Sequence, residues 1–252
     1  MNEGIVLCEG YDDRAFWAGW LIKLSRQEPP AGNPVFDPRG RKVEGGHYGF
    51  YPKSDRFVRI VPCKGATKTI GEMTRRVRER QVDPFQHLVV CLDPDIDVCG
   101  GDQRTGVRPE DLLRMVKGLA PNAHLNANGD VELDGGTVTV SLVRWETPDA
   151  RQDGLPTQQC LERLVCAAIL RAYPDRGPAV QQWLSSRPDP PTTGSPKEHA
   201  WSHMAGWYAE RGCDSFYRAV WKDREVAKHL EAQLRETGAW RIAEALVGPS
   251  TA

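Results

Sequence analysis

The sequence lacks the patterns that mark several large classes of protein. No apolar run approaches the roughly 20 residues that a membrane-spanning helix needs, and no apolar leader precedes the first predicted strand at Gly4. The seven cysteines are odd in number and include no CxxC pair. Neither a disulfide framework nor a zinc ribbon is therefore indicated. We expect a reduced, cytoplasmic protein that does not contact a membrane.

Several enzyme motifs are missing as well. The chain has no G-x-G-x-x-G dinucleotide fingerprint, no Ser-His-Asp order and no internal repeat. The turn at residues 63–69 carries two lysines, but it departs from the Gly-Lys-Thr order of a Walker A loop. The candidate functional residues that remain are a set of carboxylates.

Acidic segments follow two apolar runs. Gly4–Cys8 leads into residues 9–13 (EGYDD), and His87–Leu92 leads into residues 93–97 (DPDID). If both runs are parallel strands of one sheet, their carboxyl ends lie about 5–10 Å apart at the edge where open α/β sheets bind ligands. Carboxylates this close repel each other, and oxygen ligands without His or Cys favour Mg²⁺ or Mn²⁺ over zinc. We predict a site for two such ions, with Glu9, Asp13, Asp93, Asp95 and Asp97 as ligands.

The two acidic motifs carry a family resemblance. Glu9-Gly10-x-x-Asp13, a helix, a strand, a second helix and then Asp93-x-Asp95-x-Asp97 resemble the Toprim domain over residues 1–150. That family includes bacterial primases, topoisomerases, a ribosomal-RNA maturase and the overcoming-lysogenization-defect nucleases. The alternative is a Rossmann-like domain whose acidic strand ends are solvated or cap helices.

The resemblance implies a function. Stand-alone Toprim nucleases, some of them toxic effectors of antiphage systems, cut nucleic acid with divalent metal ions. Related nucleases also use an acidic residue beyond the core and a lysine near the metals, and Glu162 and Lys197 are the positions to try for those roles. Two rival functions stay open: an RNA-processing maturase, and a non-catalytic Toprim-like module that docks on an ATPase partner or on nucleic acid.

Charge is segregated along the chain although the net charge is only −1. Residues 23–80 hold 14 basic and 6 acidic side chains, whereas residues 81–162 hold 6 basic and 14 acidic ones. A basic segment beside an acidic, metal-loaded one is expected of a protein that grips a phosphodiester backbone. Lysines at a helix start and arginines along that helix are the candidates for nucleic-acid contacts, with an ordinary solvated face as the alternative: Lys64, Lys68, Arg75, Arg76 and Arg78.

The remaining pattern sets the domain organisation. The fold class predicted for residues 1–150 is α/β, with a mostly parallel sheet flanked by helices. Residues 26–55 are rich in Pro and Gly, which predicts a loop insertion instead of a core element. Asn128-Gly129 and Asp134-Gly135-Gly136 predict hairpin turns. Helical periodicity from Thr157 onward predicts a C-terminal helical subdomain over residues 157–247.

Overall fold

Two compact units, each built from segments that are not contiguous in sequence, make up the chain. The computed structural model describes residues 2–27, 35–94, 96–98, 106–147, 151–188, 195–207 and 213–248. The first unit comprises residues 1–92, 107–143 and 241–252, and the second comprises residues 93–106 and 144–240. The chain therefore leaves the first unit directly after the second acidic strand end, at Leu92.

A mixed sheet forms the centre of the first unit. Its strands are β1 (Asn2–Cys8), β2 (Tyr48–Lys53), β3 (Arg56–Pro62), β4 (His87–Leu92), β5 (His124–Leu125), β6 (Val131–Leu133) and β7 (Val138–Arg144). Across the sheet they run in the order β2-β3-β1-β4-β7-β6-β5. β1 pairs in parallel with both β3 and β4, whereas β2 is antiparallel to β3 and β6 is antiparallel to both β5 and β7.

Helices flank this sheet because its central strands are apolar on both faces. Residues 3–8 of β1 are buried without a break, as expected for a parallel strand that is covered from both sides. The covering helices are α1 (Tyr11–Ser25), α2 (Ala66–Glu79) and α3 (Pro109–Lys117). Met73 of α2 and Val116 of α3 share one buried cluster with Leu7 of β1. The predicted fold class, α/β with a mostly parallel sheet flanked by helices, is confirmed.

The second unit is mainly helical. It contains α4 (Leu161–Ala172), α5 (Arg176–Ser186), α6 (Pro196–Trp207), α7 (Cys213–Ala219) and α8 (Arg224–Glu236), while α9 (Ala239–Val247) begins in this unit and ends in the first. Residues 161–170 of α4 are all buried, and α4 contacts α5, α6 and α8. The predicted C-terminal helices are confirmed. Within the described ranges, every helix is too short or too polar to cross a membrane.

The segment predicted as a loop insertion at residues 26–55 contains a strand. Residues 28–34 lie outside the described part of the chain, but Tyr48–Lys53 forms β2 at the sheet edge, and Phe50 is buried there. Pro52 does not prevent this because an edge strand can leave one side without ladder hydrogen bonds. The two predicted hairpin turns are confirmed, with positive φ angles at Gly129 (78°) and Gly135 (69°).

A buried ion-pair network secures the segment that precedes β2. The Asp37 carboxylate accepts hydrogen bonds from the backbone N–H groups of Arg39 and Arg41, both at 2.9 Å, and from the side chains of Arg41 and Arg59, both at 2.8 Å. Arg59 is a buried residue of β3, and Glu3 of β1 lies 3.6 Å from the same guanidinium. The network therefore joins this segment to two strands of the sheet.

Removing the Asp37 carboxylate should destabilise the first unit strongly. Asp37→Ala leaves the buried Arg59 guanidinium without its closest partner, and we expect the free energy of unfolding to fall by about 3–5 kcal/mol. A second change, Arg59→Met, should restore part of this loss because it removes a buried guanidinium that keeps only the more distant Glu3 as an ion-pair partner. Urea unfolding of the parent, the single variant and the double variant measures both effects. A single variant as stable as the parent would contradict the role assigned to the network.

The same carboxylate predicts how stability depends on pH. Burial alone would raise the pKa of Asp37, but hydrogen bonds from Arg41, Arg39 and Arg59 outweigh burial and lower it to about 2. The unfolded value is about 3.9, so this stabilisation is complete above about pH 4 and is lost as the pH falls towards 2. The stability of Asp37→Ala should therefore fall less steeply than that of the parent between those pH values.

Candidate functional site

The two acidic strand ends follow neighbouring parallel strands. Leu7 of β1 is paired with Val90 of β4, and continuing this register places Glu9 beside Leu92. Glu9 is half-buried at this carboxyl edge of the sheet, and Asp93 is the next residue of the chain after Leu92. The sequence-based expectation that both runs are parallel strands of one sheet is confirmed.

In the first unit, the Glu9 and Asp13 carboxylates both affect the pKa of the Cys8 thiol. Burial raises the pKa of Cys8 well above its usual range, and the Asp13 and Glu9 carboxylates raise it further. Asp13 is itself buried, and its Oδ2 atom accepts the Gly10 N–H at 3.0 Å at the start of α1. Asp13 therefore stabilises the first turn of this helix, whatever else it binds.

The loop before α2 is attached to the same strand end. The Gly65 N–H donates to the Glu9 carbonyl oxygen at 2.9 Å, and the Cys63 N–H donates to the Cys8 carbonyl at 2.8 Å. Lys64 and Gly65 adopt positive φ angles of 65° and 109°, which turn the chain sharply into α2. The predicted phosphate-binding turn thus lies beside Glu9, with Lys64 and Lys68 exposed.

In the second unit, the segment that carries Asp93 and Asp97 is bound to the residues that precede α4. Asp97 forms an isolated antiparallel bridge with Gln158, and the Val98 N–H donates to the Thr157 carbonyl at 2.9 Å. The Asp93 Oδ1 atom accepts the Leu161 N–H at 3.0 Å, at the first residue of α4. Asp93 therefore satisfies one of the N–H groups that a helix start leaves without an intrahelical partner.

Glu162 lies in the same part of the second unit. It is in the first turn of α4 and is buried. Burial raises the pKa of the Cys160 thiol well above its usual range, and Glu162 followed by Asp93 raises it further. Asp93 and Glu162, two of the predicted acidic residues, thus both act on the Cys160 thiol, and Asp93 is hydrogen-bonded to the residue that precedes Glu162. Lys197 lies exposed on α6 of this unit.

Asp95, which the sequence places between Asp93 and Asp97, lies outside the described residues. Among the residues that are described, no three His, Cys, Asp or Glu side chains are close enough to form a metal-binding group. Within the first unit Glu9 and Asp13 raise the pKa of Cys8, and within the second Asp93 and Glu162 raise that of Cys160.

The arginines predicted to contact nucleic acid differ in their surroundings. Arg78 is exposed, and Arg75 is exposed but bonded to Glu72 and Glu79 of its own helix. Arg76 is buried, with its guanidinium bonded to Glu72 at 2.8 Å and to Asp83 at 3.0 Å. Arg76 therefore belongs to the packing of α2, and the exposed basic surface comes from the other positions.

Gln159 holds the acidic segment in place, and the sequence patterns did not predict this role. The Gln159 side chain accepts the Thr147 N–H at 2.9 Å and donates to the Thr147 carbonyl at 2.7 Å, while its own backbone N–H donates to Ile96 at 2.8 Å. Gln159 thus links the acidic segment to residues near the end of β7. These contacts join residues far apart in the chain, and no local pattern in the sequence signals them.

The hydrogen bond from Leu161 predicts a difference between two variants of Asp93. Like-charge repulsion alone would make removal of Asp93 neutral or stabilising, but Asp93→Ala also deprives the start of α4 of an acceptor. We expect this variant to lose about 1 kcal/mol of stability, as other helix caps do. Asp93→Asn keeps an acceptor oxygen and should stay close to the parent. Urea unfolding checks the pair, and equal stability of parent and Asp93→Ala would contradict the capping role.

Comparison with known proteins bears on the fold. No protein-family model and no curated protein matches the chain. Among solved structures, the chain is similar to a hypothetical protein from Pyrococcus horikoshii OT3, with 16% identity and a TM-score of 0.64. The match covers 98% of this chain and 100% of that protein. At this identity the likeness establishes a shared fold for the two chains.

Proposed function

We propose that this protein is a divalent-metal-dependent nuclease that hydrolyses phosphodiester bonds of nucleic acid. The observation that carries the proposal is the parallel pairing of β1 with β4, because the chain places Glu9 after one strand and Asp93 after the other. Carboxylates at the carboxyl ends of adjacent parallel strands are suited to binding hard cations.

In this proposal Glu9, Asp93 and Asp95 are the principal ligands of Mg²⁺ or Mn²⁺. Such an ion would lower the pKa of a bound water and neutralise a scissile phosphate. Asp13 and Asp97 are the candidates for ligands of a second ion, and Glu162 is the candidate for the acidic residue beyond the core. Among the described residues no three His, Cys, Asp or Glu side chains form a group that could hold a metal ion, and Asp95 lies outside those residues.

Substrate contacts are assigned to basic residues of the turn beside Glu9 and of α2, the helix that starts at this turn. The turn that bears Lys64 is hydrogen-bonded to the Glu9 carbonyl, and its exposed lysine points to phosphate binding near the carboxylates. Lys68 and Arg78 extend the exposed basic surface along α2. Arg75 adds to it in part, because its guanidinium is shared with Glu72 and Glu79. Lys197 of the second unit is the candidate for a lysine near the metals.

We further propose that the nuclease acts in antiphage defence and works with an ATPase partner protein. The support for both is the resemblance of the Glu9 and Asp93 motifs to stand-alone Toprim nucleases. Assays must therefore also be run with a source of the partner, because a nuclease that needs its partner shows no cleavage by itself.

Cleavage assays with a matched pair of glutamate variants test the proposal. Glu9→Gln removes the charge of a metal ligand, whereas Glu110→Gln makes the same change at an exposed position of α3. With Mn²⁺ present, we expect Glu9→Gln to slow cleavage by on the order of 100-fold or more, since even the partners of metal ligands are worth 10- to 100-fold. Glu110→Gln should cleave like the parent, and chelation should stop both. Nucleic-acid binding by Glu9→Gln should survive, because the basic residues are unchanged.

The substrate panel separates the proposal from its rivals. Duplex DNA, single-stranded DNA and structured RNA are compared under identical conditions. Cleavage confined to structured RNA would favour an RNA-processing maturase. Binding without cleavage in any metal, with and without cell extract as a source of partner, would favour a non-catalytic module. Cleavage that persists undiminished in Glu9→Gln would contradict the assigned site.

A further inference from the structure

A large cleft lies at the amino ends of β3 and β4 in the first unit, whereas Glu9 lies at the carboxyl end of β1. Arg56 and His87, the first residues of β3 and β4, line this cleft, whereas Glu9 follows the last residue of β1. At about 3.3 Å per residue, the length of β1 separates these two ends by roughly 20 Å. The described walls are the end of α1, the turn between β2 and β3, and the end of α9. The cleft is therefore a separate feature from the nuclease site.

The size of the cleft suits a small organic ligand. Its volume is about 1100 Å³, just above the range of about 300–1000 Å³ for ligand pockets. Leu24, Pro52 and Val247 give it apolar walls, and charged and neutral polar side chains occupy much of the rest of its described lining. A mixed lining of this kind can bind a molecule that has both an apolar part and a charged part.

Among the described residues of the lining, cationic groups outnumber carboxylates. Arg26, Lys53 and Arg56 are permanently charged, and Asp55 and Glu244 are the described acidic side chains. Burial, followed by the nearby Arg56 charge, lowers the pKa of His87 and so favours the neutral imidazole, which has one donor and one acceptor nitrogen. The excess of positive charge favours an anionic ligand.

Arg56 is held in place before any ligand binds. Its Nη1 atom donates to the Ala245 carbonyl at 2.9 Å. Gly248 packs so closely that a Cβ atom there would lie 2.5 Å from the Arg56 Nε atom, and its φ angle of 82° also favours glycine. A guanidinium fixed in this way loses little conformational entropy when it binds a ligand. Guanidinium groups match the oxygen geometry of phosphate.

We propose that this cleft binds a small phosphorylated ligand of nucleotide size. Arg26, Lys53 and Arg56 contact the phosphate groups, and Leu24 and Val247 pack against the remainder of the ligand. Such a ligand would bind the first unit at the amino ends of β3 and β4, away from Glu9.

Calorimetric titration in the presence of EDTA tests this site, because chelation removes metal-bridged binding at the carboxylates. The ligands are ATP, inorganic pyrophosphate and inorganic phosphate. The test variant is Arg26→Asn with Lys53→Gln, in which asparagine tolerates the positive φ of 56° at position 26. The control is Arg114→Gln with Lys117→Gln, which removes the same charge from exposed positions of α3. A third protein, Glu9→Gln, tests whether the ligand binds near Glu9.

We expect the test variant to weaken ATP binding at least about 10-fold, as the loss of charge-assisted hydrogen bonds should. The control and Glu9→Gln should bind like the parent. A conservative variant, Arg56→Lys, should also weaken binding while the protein stays folded by circular dichroism. Tighter binding of ATP than of pyrophosphate would support a nucleotide-sized ligand.

Three results would overturn the proposal. The first is that none of the three ligands binds the parent. The second is equal weakening in the test and control variants, which would indicate nonspecific charge attraction. The third is loss of binding in Glu9→Gln, which would indicate that the ligand binds near Glu9 and not in the cleft. Pyrophosphate binding as tight as that of ATP would overturn the size assignment. Each of these results is independent of whether the protein cleaves nucleic acid.

Discussion

The parallel pairing of β1 with both β3 and β4 determines where polar side chains can meet in the first unit. Parallel strands need crossover connections, and helices in those connections cover both faces of the sheet. Polar side chains can then meet mainly at the two ends of these strands, the carboxyl ends and the amino ends. Glu9 and the turn at Lys64 lie at the carboxyl edge, and the cleft around Arg56 lies at the amino edge. The two proposed sites are thus consequences of one arrangement of strands.

Asp37, which is buried, and Asp93, which is half-buried, are each assigned more than one role. Asp37 binds the guanidinium of Arg59 and also two backbone N–H groups, so a single carboxylate ties a segment to the sheet. Asp93 accepts a hydrogen bond at the start of α4 and is also a proposed metal ligand. One oxygen of a carboxylate can bond to a helix start while the other binds a cation, so the two roles are compatible. Substitutions at such positions change both stability and function, and variants must be chosen to separate the two.

Much of the fold was predictable because its signals are local. The apolar runs before Glu9 and Asp93 predicted β1 and β4, and turn residues such as Gly129 predicted the hairpins. β2 was hidden because its glycine and proline are typical of loops, although an edge strand tolerates both. The buried environment of Arg76 was also hidden, since its partner Asp83 follows the end of its helix. The candidate site was predictable only as a set of strand ends, because contacts such as that of Asp93 with Leu161 join residues far apart in the chain.

The central claim is that Glu9 and the acidic segment after β4 bind one divalent cation. Crystals soaked in Mn²⁺, with anomalous diffraction measured near the manganese absorption edge, test this claim most directly. The account predicts an anomalous peak within coordinating distance of the carboxylates of Glu9, Asp93 and Asp95, at the carboxyl edge of β1 and β4. A well-occupied peak elsewhere, or no peak at saturating Mn²⁺, would contradict it.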